Sequence, residues 1–278
     1  MKLLKSFSLL VSLFSVLVLN AQEFQGKAYY QTKRNFDFKV EKDSADTKKE
    51  NAMNDDMKKA IKEMLRKQSE KTYILTFNKN ESIYKEEKQL KKPNVGGGIV
   101  IEISDGNSTL YKNNKEKIYL ESKEDFGKKF LIKDELIPLK WEISKETKMI
   151  GKYLCIKATV IKLMDDYDKE HHKKEKQKEL KIVAWYTPEI PVSNGPEMYS
   201  GLPGLIIEIH EDKMHYVCNK IVLNPKEKTE IKAPTKGKKI NQKDFDKIME
   251  KKQKEMTEQF KSNRKKGDNG NVFIFSNN

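Results

Sequence analysis

Ala184-Trp185-Tyr186-Thr187-Pro188-Glu189-Ile190-Pro191 and, nine residues on, Gly201-Leu202-Pro203-Gly204-Leu205-Ile206-Ile207-Glu208-Ile209 form the stretch that decides the fold. The first run is aromatic and aliphatic up to Thr187, as a strand packed on a core should be. Prolines and glycines then punctuate the chain, and a second apolar run begins at Leu205. Gly201 and Gly204 allow turn conformations closed to other residues, and Pro203 fixes φ between them. Period-two alternation in the second run sends Leu205, Ile207 and Ile209 to one face and Ile206, Glu208 and His210 to the other. Two strands joined by a long, bent connection are expected, within a sheet that curls.

The flanks extend the same pattern. Leu205–His210 and Met214–Leu223 read as a hairpin across Glu211-Asp212-Lys213. Upstream, Tyr153–Leu163 and Leu180–Thr187 bracket a charged tip, Asp165 to Lys178. Further back come Lys27–Thr32, the pair Thr72–Phe77 and Glu81–Tyr84 around Asn78-Lys79-Asn80, then Ile99–Ile103, Thr109–Tyr111, Lys117–Glu121, Lys129–Lys133, Leu139–Ser144 and Thr147–Ile150. Short strands in series, with turn residues between them and few helices, predict an antiparallel meander. Phe36–Phe38 and Val272–Phe275 are two further strand-like runs. Two helices interrupt the pattern. Met57, Ala60, Ile61, Met64 and Leu65 make one apolar stripe inside a helical insertion at 53–70, and Asn241 caps a second helix over 241–261. Residues 224–239 read as a Lys/Pro linker. The expected class is mainly β (β-rich α+β): one large curved antiparallel sheet or incomplete β-barrel, with one N-terminal and one C-terminal helix.

Lys2 and Lys5 precede an apolar run, Leu9 to Leu19, that is short for a membrane span, and Ala21 offers a cleavage site. Residues 1–21 therefore read as a signal peptide, and 22–278 as a single domain in the periplasm or outside the cell. The net charge of +14 comes from lysines interleaved with glutamates. Arginine occurs only at Arg34, Arg66 and Arg264, so nucleic acid is not expected as a partner. Cys155 and Cys218 both lie in apolar runs. In an oxidising compartment they leave open one disulfide or two buried thiols.

Chemistry-bearing motifs are sparse. No G-x-S-x-G or H-E-x-x-H is present, Ser200 has no base at a useful spacing, and Glu189 with Glu208 shows no sign of divided pKa values. Gly96-Gly97-Gly98 lacks the lysine and hydroxyl of a phosphate loop. His171, His172, His210 and His215 are weak metal candidates, without the spacing of a helical pair. No catalytic residue, metal or other cofactor is expected.

The motif set is similar to one family. Gly201-Leu202-Pro203-Gly204-Leu205-Ile206 resembles the signature of the GLPGLI family of secreted Bacteroidetes proteins, a family of unknown function. Ile150-Gly151-Lys152-Tyr153-Leu154-Cys155-Ile156-Lys157-Ala158 resembles its I-x-G-Y-x-C-x-K-A segment, with Lys152 as an insertion, and Trp141 takes the place of the preceding tryptophan. Ala184-Trp185-Tyr186-Thr187, Ile190-Pro191 and Gly195-Pro196 resemble its approach to the signature. Cys218 has no counterpart in that pattern. The resemblance implies work in the envelope, in association with TonB-dependent receptors, and it transfers no catalytic residue. The half-barrel expected here is analogous to lipoprotein carriers of the LolA type. The leading expectation is a non-enzymatic binding or carrier module for an apolar, lipid-like ligand or an envelope protein. Trp141, Tyr153, Cys155, Trp185, Tyr186, Pro191, Gly195, Pro196, Gly201, Leu202, Pro203, Gly204, Leu205, Ile206 and Glu208 mark the motif and the expected ligand cavity. A periplasmic metal-handling factor is the alternative, and a hydrolase comes third.

Overall fold

A computed structural model describes residues 24–34, 59, 63, 70–87, 108–167, 174–227 and 230–265. Twelve strands are present among them: β1 (Gln25–Arg34), β2 (Thr72–Asn78), β3 (Glu81–Glu86), β4 (Thr109–Asn113), β5 (Ile118–Asp125), β6 (Lys128–Glu135), β7 (Glu142–Ile150), β8 (Tyr153–Tyr167), β9 (Lys174–Thr187), β10 (Leu205–Glu211), β11 (Met214–Leu223) and β12 (Lys238–Ile240). They make one sheet in the order β12-β6-β5-β4-β3-β2-β1-β11-β10-β9-β8-β7. Every pairing is antiparallel except the short parallel contact of β12 with β6. The sheet is therefore the expected mainly-β meander, with one out-of-sequence pairing where β1 meets β11.

Connectivity dictates the curvature. Ten strand-to-strand steps separate β6 from β7, which is roughly 48 Å measured along a sheet. Only residues 136–141 join them, a link that spans at most about 24 Å even when fully extended. The sheet must curl until its ends approach, giving an incomplete barrel with a concave inner wall.

Two buried clusters fill it. The first gathers Ala28, Tyr30, Leu75, Phe77, Tyr84, Leu110, Phe130, Ile132 and neighbours. The second gathers Ala158, Val160, Ile182, Ala184, Tyr186, Ile206, Ile209 and Tyr216, and Tyr199 and Leu202 from the β9–β10 connection pack into it. α1 (Gln242–Lys265) closes the β6 end. Asn241 Oδ1 accepts from the Asp244 amide at 2.8 Å, as expected of an N-cap. The Gln242 amide donates to Asp134 on β6, and Phe245 sits edge-on against Phe130.

Several expectations change. Residues expected as a linker at 224–239 include the start of β12, because three residues of irregular chain satisfy the open edge of β6. The run expected at Leu139–Ser144 begins only at Glu142 and joins Thr147–Ile150 in one strand, β7, whose register shifts between Ile143 and Thr147. Cys155 and Cys218 are both buried free thiols. They stand on β8 and β11, with β9 and β10 between them, so neighbouring strands do not bring them into bridging range. Of the helix expected at 53–70, Lys59 and Glu63 are helical and Glu70 is not, and the rest lies outside the described residues. So do residues 1–21, Phe36–Phe38, Ile99–Ile103, His171, His172 and Val272–Phe275.

Candidate functional site

The connection between β9 and β10 does not rim the barrel; it lies inside it. Tyr199 and Leu202 pack on β8 and β9 through Ala158 and Ala184, while the carbonyls of the same segment are bound from β4. Lys112 Nζ donates to Gly195 O at 3.0 Å, Glu197 O at 2.6 Å and Tyr199 O at 3.3 Å. A segment reaches β4 and β8 together only from the concave side of a curled sheet.

Three more side chains hold its main chain. Asn114 Nδ2 donates to Ser193 O at 2.9 Å, Trp141 Nε1 to Ser200 O at 2.9 Å, and the Tyr30 hydroxyl to Ile206 O at 2.6 Å. Residues 136–141 cross outside it, with Leu139, Trp141 and Pro138 bordering Gly201. The segment is thus a plug, clasped by its backbone and seated on small floor residues.

Local chemistry explains why the chain folds so at this point. Gly201 has φ of 98°, a conformation that an L side chain resists. Gly204 matters for a different reason. A Cβ there would lie 2.1 Å from the Thr187 carbonyl oxygen, so only glycine lets the end of β9 and the start of β10 close together. Beyond Gly204, β10 carries a bulge: Ile206 faces Tyr186 and Glu208 faces Trp185, which leaves Ile207 as the extra residue. The bulge overturns the simple alternation. Ile206 and Ile209 both join the second cluster, whereas Leu205 and Ile207 join the first. The first part of β10 has no partner on β11, whose pairing starts at Glu208. Tyr30 from β1 supplies the missing donor.

Lys112 is fully buried. Burial pushes its ammonium down to about 7, from an ordinary 10.5, against the upward pull of the Glu197 charge. Beside it on β3, the buried Ser82 hydroxyl and Tyr84 hydroxyl make no hydrogen bond among the described residues. Neither Lys112 nor this pair was singled out in the sequence. The signal was present: Leu110 and Lys112 share one parity of β4, which places a lysine on the core-facing side.

The sequence candidates separate into three groups. Gly195, Pro196, Gly201, Leu202, Pro203, Gly204, Leu205 and Ile206 belong to the plug and its exit; Trp141 and Tyr186 touch it, and Pro191 is exposed at its start. Tyr153 and Cys155 pack with the first cluster, and burial pushes the Cys155 thiol up to about 11 and the Cys218 thiol up to about 12. Glu208 and Trp185 belong to a polar group on β7–β11. Lys148 Nζ lies 2.7 Å from Glu208 Oε2 and 4.3 Å from the Trp185 ring centre. His210 Nε2 contacts the other Glu208 oxygen, and His210 and His215, direct cross-strand partners, meet edge to face. Burial raises the Glu208 carboxyl, but Lys148 and His210 outweigh it and hold the carboxyl below its ordinary value. Among the described residues, no group of three or more His, Cys, Asp or Glu is arranged to hold a metal ion.

Fold and site together define an open, curled β-sheet protein that carries its own plug. The family model described as a protein of unknown function (Porph_ging) matches residues 141–208, from the start of β7 through the plug to the bulge of β10. No curated protein matches the chain. Solved structures of PNGF-II in two space groups are similar at 12% identity and a TM-score of 0.46, over 81% of this chain and 32% of that chain.

Proposed function

We propose that this is a secreted, non-enzymatic binding or carrier module of the cell envelope, and that the concave wall beneath the plug receives an apolar ligand. The observation that carries the reading is how the wall is covered. A second sheet or a helix layer usually covers such a face. Here α1 covers the β6 end, and over β8–β10 an irregular segment does so, held through its own carbonyls by Lys112, Asn114, Trp141 and Tyr30. The floor under it is apolar and small, with Ala158 and Ala184 as direct cross-strand partners. Ser82 and Tyr84 add hydroxyls with unused hydrogen-bonding capacity, suited to a polar ligand end.

Residues 1–21, read as a signal peptide, and the resemblance to the GLPGLI family favour the periplasm or the cell exterior as the place of action. No helix among the described residues is long and apolar enough to cross a membrane. An envelope protein, with a TonB-dependent receptor system as the proposed case, would hand over or accept the ligand. The exposed Ile161 and Leu163 on β8 are the proposed contact, because β8 has no outer neighbour beyond Thr159. Native mass spectrometry of the mature protein recovered from its own envelope tests the reading. An apolar adduct that leaves on denaturation supports it. A protein of bare polypeptide mass after gentle isolation, with no affinity for fatty-acyl probes, would count against it.

A further inference from the structure

The plug's fastening is concentrated on one side chain. Of the six side-chain contacts to carbonyls of residues 193–206, three come from the Lys112 amino group. Those three acceptors lie within five residues of chain, 83 to 87 positions from Lys112. Lys112 is fully buried, and its amino group donates to three main-chain carbonyls. An amino group has three donor positions when charged, and here each has an acceptor on the plug. Glu197, whose carbonyl receives the shortest of the three bonds, has φ of 47°, a conformation that costs a non-glycine residue about a kilocalorie per mole or more. The segment is thus bent to present its carbonyls, and the bend is held from outside it.

Within the segment, regular pairing is scarce. Its own amides make turn-like bonds, Val192 to Ile190 O, Asn194 to Val192 O and Tyr199 to Pro196 O. Among the described residues, it meets strand backbone where the Leu205 and Ile206 amides reach back to Ile190 O and Asn194 O. A segment with few ladder bonds and a single multi-point anchor is the part of a fold most able to open by itself.

We propose that Lys112 is the latch of the concave wall: its amino group holds residues 193–203 down as a lid, and a ligand reaches the wall when the lid leaves that anchor. The inference rests on the binding reading given above and assigns the residue that controls access to it. Tyr199 and Leu202 occupy the floor while the lid is down, so ligand and lid compete for the same apolar surface. Polar ends of a ligand would then meet the Lys112 amino group, freed from its carbonyls, together with the Ser82 and Tyr84 hydroxyls. A fatty acid or another amphiphile with an acidic head fits that pairing of an apolar floor with a basic end.

The test uses the mature chain and its Lys112→Met variant, which keeps the stem's volume and removes the donors. Amide hydrogen exchange is read at residues 192–206, with β1–β3 as the internal reference. Binding of dansyl-undecanoic acid is measured by fluorescence in the same samples. The latch predicts exchange in the lid faster by about a hundredfold, from the loss of several buried hydrogen bonds, with β1–β3 little changed. Because Lys112 is also the proposed partner of the acidic head, uptake of the probe is compared between wild type and Asn114→Ala, where the latch predicts it to be faster. Unchanged lid exchange, or acceleration shared equally by β1–β3, would overturn the latch and leave Lys112 as a core residue. A lid loosened in Asn114→Ala, which keeps the Lys112 amino group, without probe binding there or in wild type would leave the latch standing and remove the apolar-ligand reading. Should Lys112→Met fail to fold, Asn114→Ala releases the lid's first carbonyl from a part-buried position. That variant must accelerate lid exchange selectively, by about tenfold, and no acceleration there would equally refute a lid.

Discussion

Replacing Gly204 by alanine probes the tightest backbone approach at any described glycine. The added Cβ would sit 2.1 Å from the Thr187 oxygen, 2.7 Å from its carbonyl carbon and 3.0 Å from the Pro188 nitrogen. All three are backbone atoms, so no side-chain rotation relieves the clash, and the β9–β10 junction must open by more than an ångström. Thr187 and Leu205 are register partners with no exposed surface, and Tyr30 bonds to the carbonyl just beyond. Strain together with loss of one or two of these bonds should cost about 3 kcal/mol or more. For a chain of this size that lowers the melting temperature by roughly 6–12 °C. Gly201→Ala is the control. Its nearest heavy atom would be 3.5 Å away, but its φ of 98° is strained for alanine, at about 1–2 kcal/mol. Urea unfolding followed by circular dichroism and tryptophan fluorescence would rank the two. A Gly204→Ala protein no less stable than Gly201→Ala would refute the close packing of plug and sheet.

Tyr30→Phe removes the one bond to Ile206 O and should cost about 1–2 kcal/mol in urea unfolding; a loss near zero would mean that β10 finds another donor. Both thiols are buried and raised to about 11 and 12, so Ellman's reagent at pH 8 should find none in the native protein and two in denaturant. Lys112 binds fewer protons when folded than when unfolded between about pH 7 and 10.5. Its contribution to stability therefore rises with pH across that window, by up to a few kcal/mol. The stability of wild type relative to Lys112→Met should climb accordingly in urea melts, and a flat difference would contradict a buried, depressed lysine. Glu208 has a dependence of the same sign in a lower window. Its carboxyl is held low, so its pairing with Lys148 is fully present above the ordinary value of 4.5 and fades as pH falls through the lower folded value. Relative to Glu208→Gln, an advantage of about 1 kcal/mol at pH 7 should vanish in acid.

Most of the sheet was legible because strand patterns are local. The runs Thr72–Phe77, Glu81–Tyr84 and Met214–Leu223 carry alternation and turn residues that need no tertiary knowledge, and the strands fall where those signals put them. What escaped depends on distant partners. The bulge at Ile207 arises from pairing with Tyr186 and Trp185, and it inverts the faces that strict alternation assigns to Glu208 and Ile209. β12 exists because β6 has an edge to fill, and nothing in Lys238-Lys239-Ile240 announces a strand. Recognising Gly201–Ile206 as a motif gave the bent connection no position, since only the curl of the sheet puts it inside. Lys112 was hidden among 56 lysines and arginines, although its place beside Leu110 on the buried side of β4 set it apart. The histidines show the converse. His210 and His215 do meet, yet their company is Glu208, already engaged by Lys148.

The competition between ligand and lid is the centre of the account, and hydrogen exchange on the unaltered mature protein with saturating dansyl-undecanoic acid tests it directly. The prediction is that bound probe raises exchange across residues 193–203 while the amides of β8–β10 become better protected. Probe bound with the lid as protected as before, or no binding at any accessible concentration, would contradict it.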